Sequence, residues 1–232
     1  MTDSGRNENC MICGKPLVYF NETKTLRCVI CGKEAAANAS CEDGHFVCDD
    51  CHSGGGAGIL SFLMQSEEKD PVELFTQVCA MKEVHMHGPE HHGIVPCVLL
   101  TAFYNNGGSI ELENALPEAW KRGKGVPGGA CGFLGCCGSA VGAGIFASIV
   151  CGSTPLTGEV WHIPQELTAD CLRAIASVGG PRCCKRDGRL SIECAAGFSK
   201  ERFGIDMPVS RPACTFSEKN RECLDKRCPY NG

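Results

Sequence analysis

The chain has 232 residues, 43% of them hydrophobic, enough to build a core without staples. Its net charge of −5 gives no electrostatic case for nucleic-acid binding, which needs a basic face. Twenty cysteines dominate the composition, in C-x-x-C pairs and adjacent pairs (Cys136–Cys137, Cys183–Cys184). That pattern belongs to metal and thiol chemistry in a reducing compartment rather than to a disulfide framework. Residues 1–16 hold Asp3, Glu8 and two cysteines without an apolar run, so no secretory signal is expected and the protein is read as cytoplasmic. Thiols in this number oxidise in air, which points to an anaerobic setting.

The first fifty residues carry the strongest motif. Cys10-x2-Cys13 and Cys28-x2-Cys31 are two knuckles fourteen residues apart, each followed by glycine (Gly14, Gly32) whose amide is expected to turn toward a thiolate. Four thiolates at this spacing predict a tetrahedral Zn2+ site. Leu17–Phe20 and Thr25–Arg27, between the knuckles, predict a small hairpin as in a zinc ribbon. Cys41-x3-His45-x2-Cys48-x2-Cys51 supplies a second ligand set, with His52 in reserve. Sequential sites and a cross-braced pair both satisfy the spacing. With so few apolar residues, a segment of this kind folds when metal is bound, and its job is structural or docking. Residues 1–52 are thus read as a zinc-ribbon-like module, and 53–58, Ser-Gly-Gly-Gly-Ala-Gly, as a flexible joint.

From residue 59 to 232 the pattern is helical. Pro71 at the first helical position opens a helix from Val72 to about Lys82. Others are expected from Glu90 to Tyr104, from Ile110 to Arg122, from Gly138 to Val150, from Pro164 to Gly179 and from Asp187 to Phe203, with one short helix after Ser217. Residues 125–158 carry no charge, but their apolar part, Val141 to Val150, is too short to cross a bilayer and reads as a buried helix, so no membrane is expected. The small residues Gly138, Ala140, Gly142 and Gly144 form a stripe that lets another backbone come close. The fold class is therefore mainly α: a small N-terminal zinc-binding module followed by an all-helical domain.

Three cysteine groups sit just ahead of predicted helices: Cys131, Cys136 and Cys137; Cys183 and Cys184; and Cys214, with Cys223 and Cys228 following in the tail. A helix amino terminus stabilises thiolates and anionic clusters. Glycine after Cys131 and Cys137 favours those two over Cys136 as ligands, and Cys228-Pro229 is a sequence frequent where a cluster ligand closes a turn. Cys131, Cys137, Cys183, Cys184, Cys214, Cys223 and Cys228 are the candidate ligands of an iron–sulfur cluster of the 4Fe-4S kind, with a third zinc site as rival. Cys79, Cys97, Cys151, Cys171 and Cys194 lie in apolar stretches and are assigned to the core. Four histidines fall in the eight residues from His85 to His92. His87, Glu90 and His91 are candidate acid–base groups, expected to share a cavity with Cys183 and Cys184.

The stretches "HMHGPEHH", "VPGGACGFLGCCG", "GGPRCCKRD" and "NRECLDKRCPY", behind the zinc-ribbon-like start, resemble an uncharacterised cysteine-rich family of anaerobic archaea and bacteria, a domain of unknown function. The resemblance implies a prokaryotic, oxygen-avoiding cytosolic protein and brings no reaction with it. Cys136 and the glycine-rich joint depart from the family pattern. The expected function is an iron–sulfur metalloenzyme in sulfur transfer or redox chemistry, a sulfurtransferase or an oxidoreductase. Cys183 or Cys184 would ligate the cluster or carry sulfur, His91 and Glu90 would move protons, and Arg182, Lys185 and Arg186 would hold a small anionic or sulfur-containing substrate. The alternative is a non-catalytic zinc-binding adaptor that docks to a partner protein.

Overall fold

The computed structural model describes residues 10–52 and 56–231. The fold is mainly α, with one two-stranded sheet among the described residues. Strand β1 (Leu17–Arg27) runs from the first knuckle to the second, and β2 (Glu34–Cys41) returns antiparallel to it, pairing Arg27 with Glu34 and Leu17 with Cys41. The expected hairpin within residues 17–27 is therefore corrected. Both of its arms lie on one strand, with an irregularity between Tyr19 and Lys24, and the reversal is made by the second knuckle. There the Gly32 amide donates to the Cys28 carbonyl at 2.9 Å, closing a tight turn that a metal-binding loop supplies in place of a β-turn.

Behind the sheet, short α1 (Asp49–His52) leads toward α2 (Ala57–Gln65). Of the expected flexible joint, residues 53–55 lie outside the described residues. Gly56 is not a joint: it is buried at the start of α2 with φ 68°, and a Cβ there would stand 2.2 Å from the Trp120 indole. The glycine serves close packing at a left-handed backbone position.

The remaining helices are α3 (Pro71–Cys79), α4 (Glu90–Asn105), α5 (Leu112–Lys124), α6 (Ala130–Phe133), α7 (Gly138–Val150), α8 (Ile163–Val178) and α9 (Cys184–Phe203). Helix α3 opens as its sequence requires, with Pro71 at the first position and the Asp70 carboxylate accepting the Val72 and Glu73 amides. Helix α4 is apolar around its circumference, so it becomes the central helix; Ile94, Val95, Cys97, Val98, Leu99, Leu100 and Ala102 are all fully buried. The stripe on α7 divides its work. Gly142 admits Pro96 and the His92 carbonyl of α4, and Gly144 admits Thr168 and the Pro164 carbonyl of α8. Phe103, Phe146, Phe198 and Phe203 meet edge to face and close the far end of the core. The tail carries two 3-10 turns, Ser217–Lys219 and Asp225–Arg227, instead of one short helix. Of the five cysteines assigned to the core, Cys79, Cys97 and Cys171 are buried, whereas Cys151 caps α7 half-exposed and Cys194 is half-buried.

The cysteine-rich module lies against the helices. Asp49 accepts the Gly128 amide at 3.1 Å, Asp50 pairs with Lys124 at 3.0 Å, and Tyr19 contacts Arg182.

Candidate metal centres

Cys10, Cys13, Cys41 and His45 form one group of donors within 4.8 Å of one another, and Cys28, Cys31, Cys48 and Cys51 form another. The pairs are interleaved, so the module is cross-braced, and the sheet is the reason. Strand β2 ends at Cys41, opposite Leu17, and so delivers Cys41 to the first knuckle. The chain then crosses back: Val29 donates to the Phe46 carbonyl at 2.9 Å, which seats Cys48 beside Cys28. Zinc–sulfur bonds of about 2.3 Å at tetrahedral angles put two sulfurs about 3.8 Å apart, and a sulfur and a nitrogen about 3.6 Å apart. Cys13–Cys41 and Cys31–Cys48 are 3.8 and 3.7 Å apart; His45 Nδ1 lies 3.5 Å from Cys41 Sγ and 3.4 Å from Cys13 Sγ. Both groups therefore hold donor sets that can bind one metal ion each.

The amides that reach these sulfurs are not those of the knuckle glycines. Ile12 donates to Cys10 Sγ and Cys48 to Cys28 Sγ, both at 3.4 Å, while the Gly14 and Gly32 amides go to cysteine carbonyls. Burial works against the Cys28 thiolate, but the amides of Cys48, Cys31 and Ile30 outweigh it and hold the thiol at about 6.

A third gathering of thiols lies in the helical part. Cys183, Cys214, Cys223 and Cys228 line one cavity of about 40 Å³ together with Lys185, Arg186, Arg189 and Asn220. Three of the four sulfurs accept amide hydrogens. Phe216 donates to Cys214 and Asp225 to Cys223, each at 3.4 Å from two residues ahead, the turn that Cys10 makes with Ile12. Cys183 is the N-cap of α9, and its sulfur takes the Arg186 amide at 3.5 Å and the Asn220 side-chain amide at 3.4 Å. Burial pushes the Cys183 thiol up to about 11, so a metal binding there displaces a proton.

The seven expected cluster ligands are thus divided. Cys184, next to Cys183, does not line the cavity; the Gly88 amide and Arg182 face its sulfur, and Cys137 is a neighbouring thiol. Burial raises the Cys184 thiol, and pushes Cys137 up to about 11. Cys131, on α6, is the next thiol beyond Cys137, and Cys136 is half-buried in the turn before α7. Among the described residues these do not close into a group of three donors within 4.8 Å. Gly138, expected to free an amide for sulfur, instead makes room for the His92 ring; the amides near Cys137 are those of Ser139 and Ala140.

The histidines are sorted by their partners. The Cys184 amide donates to His87 Nδ1 at 3.2 Å, so the ring's proton is on Nε2, 3.2 Å from Asn220 Oδ1 and 3.4 Å from Glu222. With its oxygen held by His87 and by the Glu222 amide, Asn220 must turn its NH2 toward Cys183. His91 is fully buried; its Nε2 accepts from Lys185 Nζ at 3.0 Å, leaving Nδ1–H to donate to the Gly88 carbonyl at 3.1 Å. Glu90 faces away from the thiol cavity, toward His52 and His85. The shared cavity expected for His87, Glu90, His91 and both cysteines is therefore corrected: His87 reaches Cys183 through Asn220, and none of His87, Glu90, His91 and Cys184 lines that cavity. The basic trio is engaged by the protein itself. Arg186 binds Asp187 and the Pro181 carbonyl, Lys185 binds His85 and His91, and Arg182 contacts Tyr19. Asn220, 2% exposed, was not legible as a site residue, because no local pattern marks an amide aimed at a sulfur 37 residues away.

Fold and donors define a mainly helical, cysteine-rich protein with two four-donor Cys/His groups at its amino end, each able to hold a metal ion. Residues 59–231 match the model of a family of unknown function, DUF5714, and the chain belongs to that family. The match begins after the Cys/His module, which accordingly lies outside it. No curated protein and no solved structure matches the chain. Among the described residues, no helix is long and apolar enough to cross a membrane.

Proposed function

We infer that the protein is an iron–sulfur protein of redox or sulfur-transfer chemistry, whose N-terminal module is held together by two zinc ions. The observation that carries this reading is the cavity lined by Cys183, Cys214, Cys223 and Cys228. Its thiols share one space yet do not close to the 4.8 Å of the two N-terminal groups. A cubane bound at its corners spreads its ligands wider than one tetrahedral ion does. Amide donors on three sulfurs, the amino end of α9 and three basic side chains suit an anionic cluster. Held by all four cysteines the cluster would supply one-electron transfer, and held by three it would leave one iron open for sulfide.

The protein's own residues do the positioning. Asn220, oriented by His87, donates to Cys183, and Lys185, held by His91, brings positive charge to the wall. Cys184, half-buried beside the Gly88 amide and Arg182, would carry sulfur next to the cluster. The test is anaerobic purification with iron and acid-labile sulfide analysis. A brown protein with a broad band at about 400 nm is expected, and Cys214→Ser should abolish it. A colourless wild-type protein without iron or sulfide after reconstitution would remove the reading.

A second reading, an adaptor that docks a partner protein, draws on the surface of the module. Met11, Ile12, Leu17, Val18, Val29 and Ile30 are all exposed there, and exposed apolar side chains on so small a module favour association. The same preparation distinguishes the two, since an adaptor would carry zinc and no iron.

A further inference from the structure

Glu90 begins α4 with a carboxylate 1% exposed, in the seam where α1 meets the turn ahead of α4. His52 Nδ1 lies 3.2 Å from its Oε2 and His85 Nδ1 lies 3.4 Å from its Oε1; one donor atom from each of the three residues falls within 4.8 Å of the others. The two imidazoles are 4.4 Å apart between centroids and tilted by 56°, so they converge on the carboxylate from different directions. Gly88 keeps the space clear, since a Cβ there would stand 2.0 Å from Glu90 Oε2.

Two features separate this trio from a carboxylate that is merely hydrogen-bonded. His85 Nδ1 is sealed from solvent and makes no hydrogen bond, although Oε1 is 3.4 Å away, and that oxygen already accepts the His85 amide at 3.0 Å. A buried ring nitrogen without a hydrogen-bond partner is costly unless something binds it. In addition, the His52 and His85 side chains keep 20% and 32% of their surface while Glu90 is sealed, so the trio has a buried anionic floor and a solvent-facing side. Nitrogen and oxygen ligands at about 2.0–2.2 Å from one ion stand roughly 2.9–3.6 Å apart, which brackets both separations. His87 and His91 are committed elsewhere, to the Cys184 amide and to Lys185.

We propose that His52, His85 and Glu90 form a third metal site, for a divalent transition-metal ion held by two imidazoles and one carboxylate. Such a donor set suits iron(II), manganese(II) or zinc and leaves coordination positions on the solvent side for water or a small oxygen-donor ligand. His52 directly follows Cys51 of the cross-braced module, and the other two ligands belong to the helical part. The site is therefore complete when the module is seated on the helices. It is separate from the thiol cavity and depends on no cluster.

The full-length, zinc-loaded protein is titrated anaerobically with Mn2+, and free Mn2+ is followed by its magnetic resonance signal; manganese prefers oxygen and nitrogen donors, so the thiolate sites do not compete. One Mn2+ per chain is expected, with affinity lowered at least about tenfold by His85→Ala and by His52→Ala. Cys214→Ser should bind Mn2+ as the wild type does, so loss of the cluster and loss of this site read out separately. Because His85 is half-exposed, its alanine variant keeps the fold, which helical circular dichroism checks. Equal Mn2+ binding by wild type and His85→Ala, or no Mn2+ binding together with no third metal in the purified protein, would overturn the proposal.

Discussion

Cys183 and Cys184 are neighbours in the chain, yet their sulfurs serve different sides of the first turn of α9. Cys183 faces the tail cysteines and takes amides from Arg186 and Asn220; Cys184 faces the Gly88 amide, Arg182 and Cys137. Cys183 is the extended N-cap and Cys184 the first helical residue, so the two side chains leave the backbone in different directions. Cys183→Ser should therefore remove iron and colour, whereas Cys184→Ser should keep both and lose any persulfide carried on the chain. Iron and sulfide analysis of the two variants, with mass spectrometry for bound sulfur, decides this. Equal bleaching by both would mean that the division of the pair is wrong.

Cross-bracing has a stoichiometric consequence. Cys13 and Cys41 belong to the same group, so the double variant Cys13→Ser/Cys41→Ser should lose one zinc, no more than either single change. Sequential sites would lose two. Since strands β1 and β2 connect the groups, Cys28→Ser should loosen the whole of residues 10–52 while α3 to α9 stay folded, as read by hydrogen exchange.

Asn220 should tune the proposed cluster rather than hold it. Removing its amide hydrogen bond to Cys183 makes the sulfur more electron-rich, so Asn220→Ala should retain iron and shift the reduction potential to more negative values. His87→Ala should shift it the same way and less, since it frees Asn220 to rotate. Voltammetry on the immobilised protein measures both, and unchanged potentials would reduce the His87–Asn220 chain to a packing role.

Phe146 tests the core independently of any metal. It is fully buried and meets Phe103 and Phe203 edge to face. Phe146→Ala should cost about 3–5 kcal/mol, through lost burial and a cavity that helices on three sides cannot close. Denaturant unfolding under anaerobic conditions reads the loss, and the zinc content of the N-terminal module should be unaffected.

The amino-acid order determined what chain-local physics can determine. The eight N-terminal candidate donors, the helix bounds near Pro71, Gly138 and Gly204, and the small-residue face of α7 follow from spacing, capping and periodicity over a few residues. What the tertiary structure decided involves partners far apart in the chain. Strand pairing chose the cross-braced grouping, because Cys41 meets Cys13 across 28 residues through the register of β1 on β2. The change from extended backbone at Cys183 to helix at Cys184 parted the two thiols. Docking of the module brought His52 to Glu90 across 38 residues, and the fold of the tail aimed the amide of Asn220 at a sulfur. Each of these depends on a relative orientation of elements, which residue spacing leaves open and packing closes.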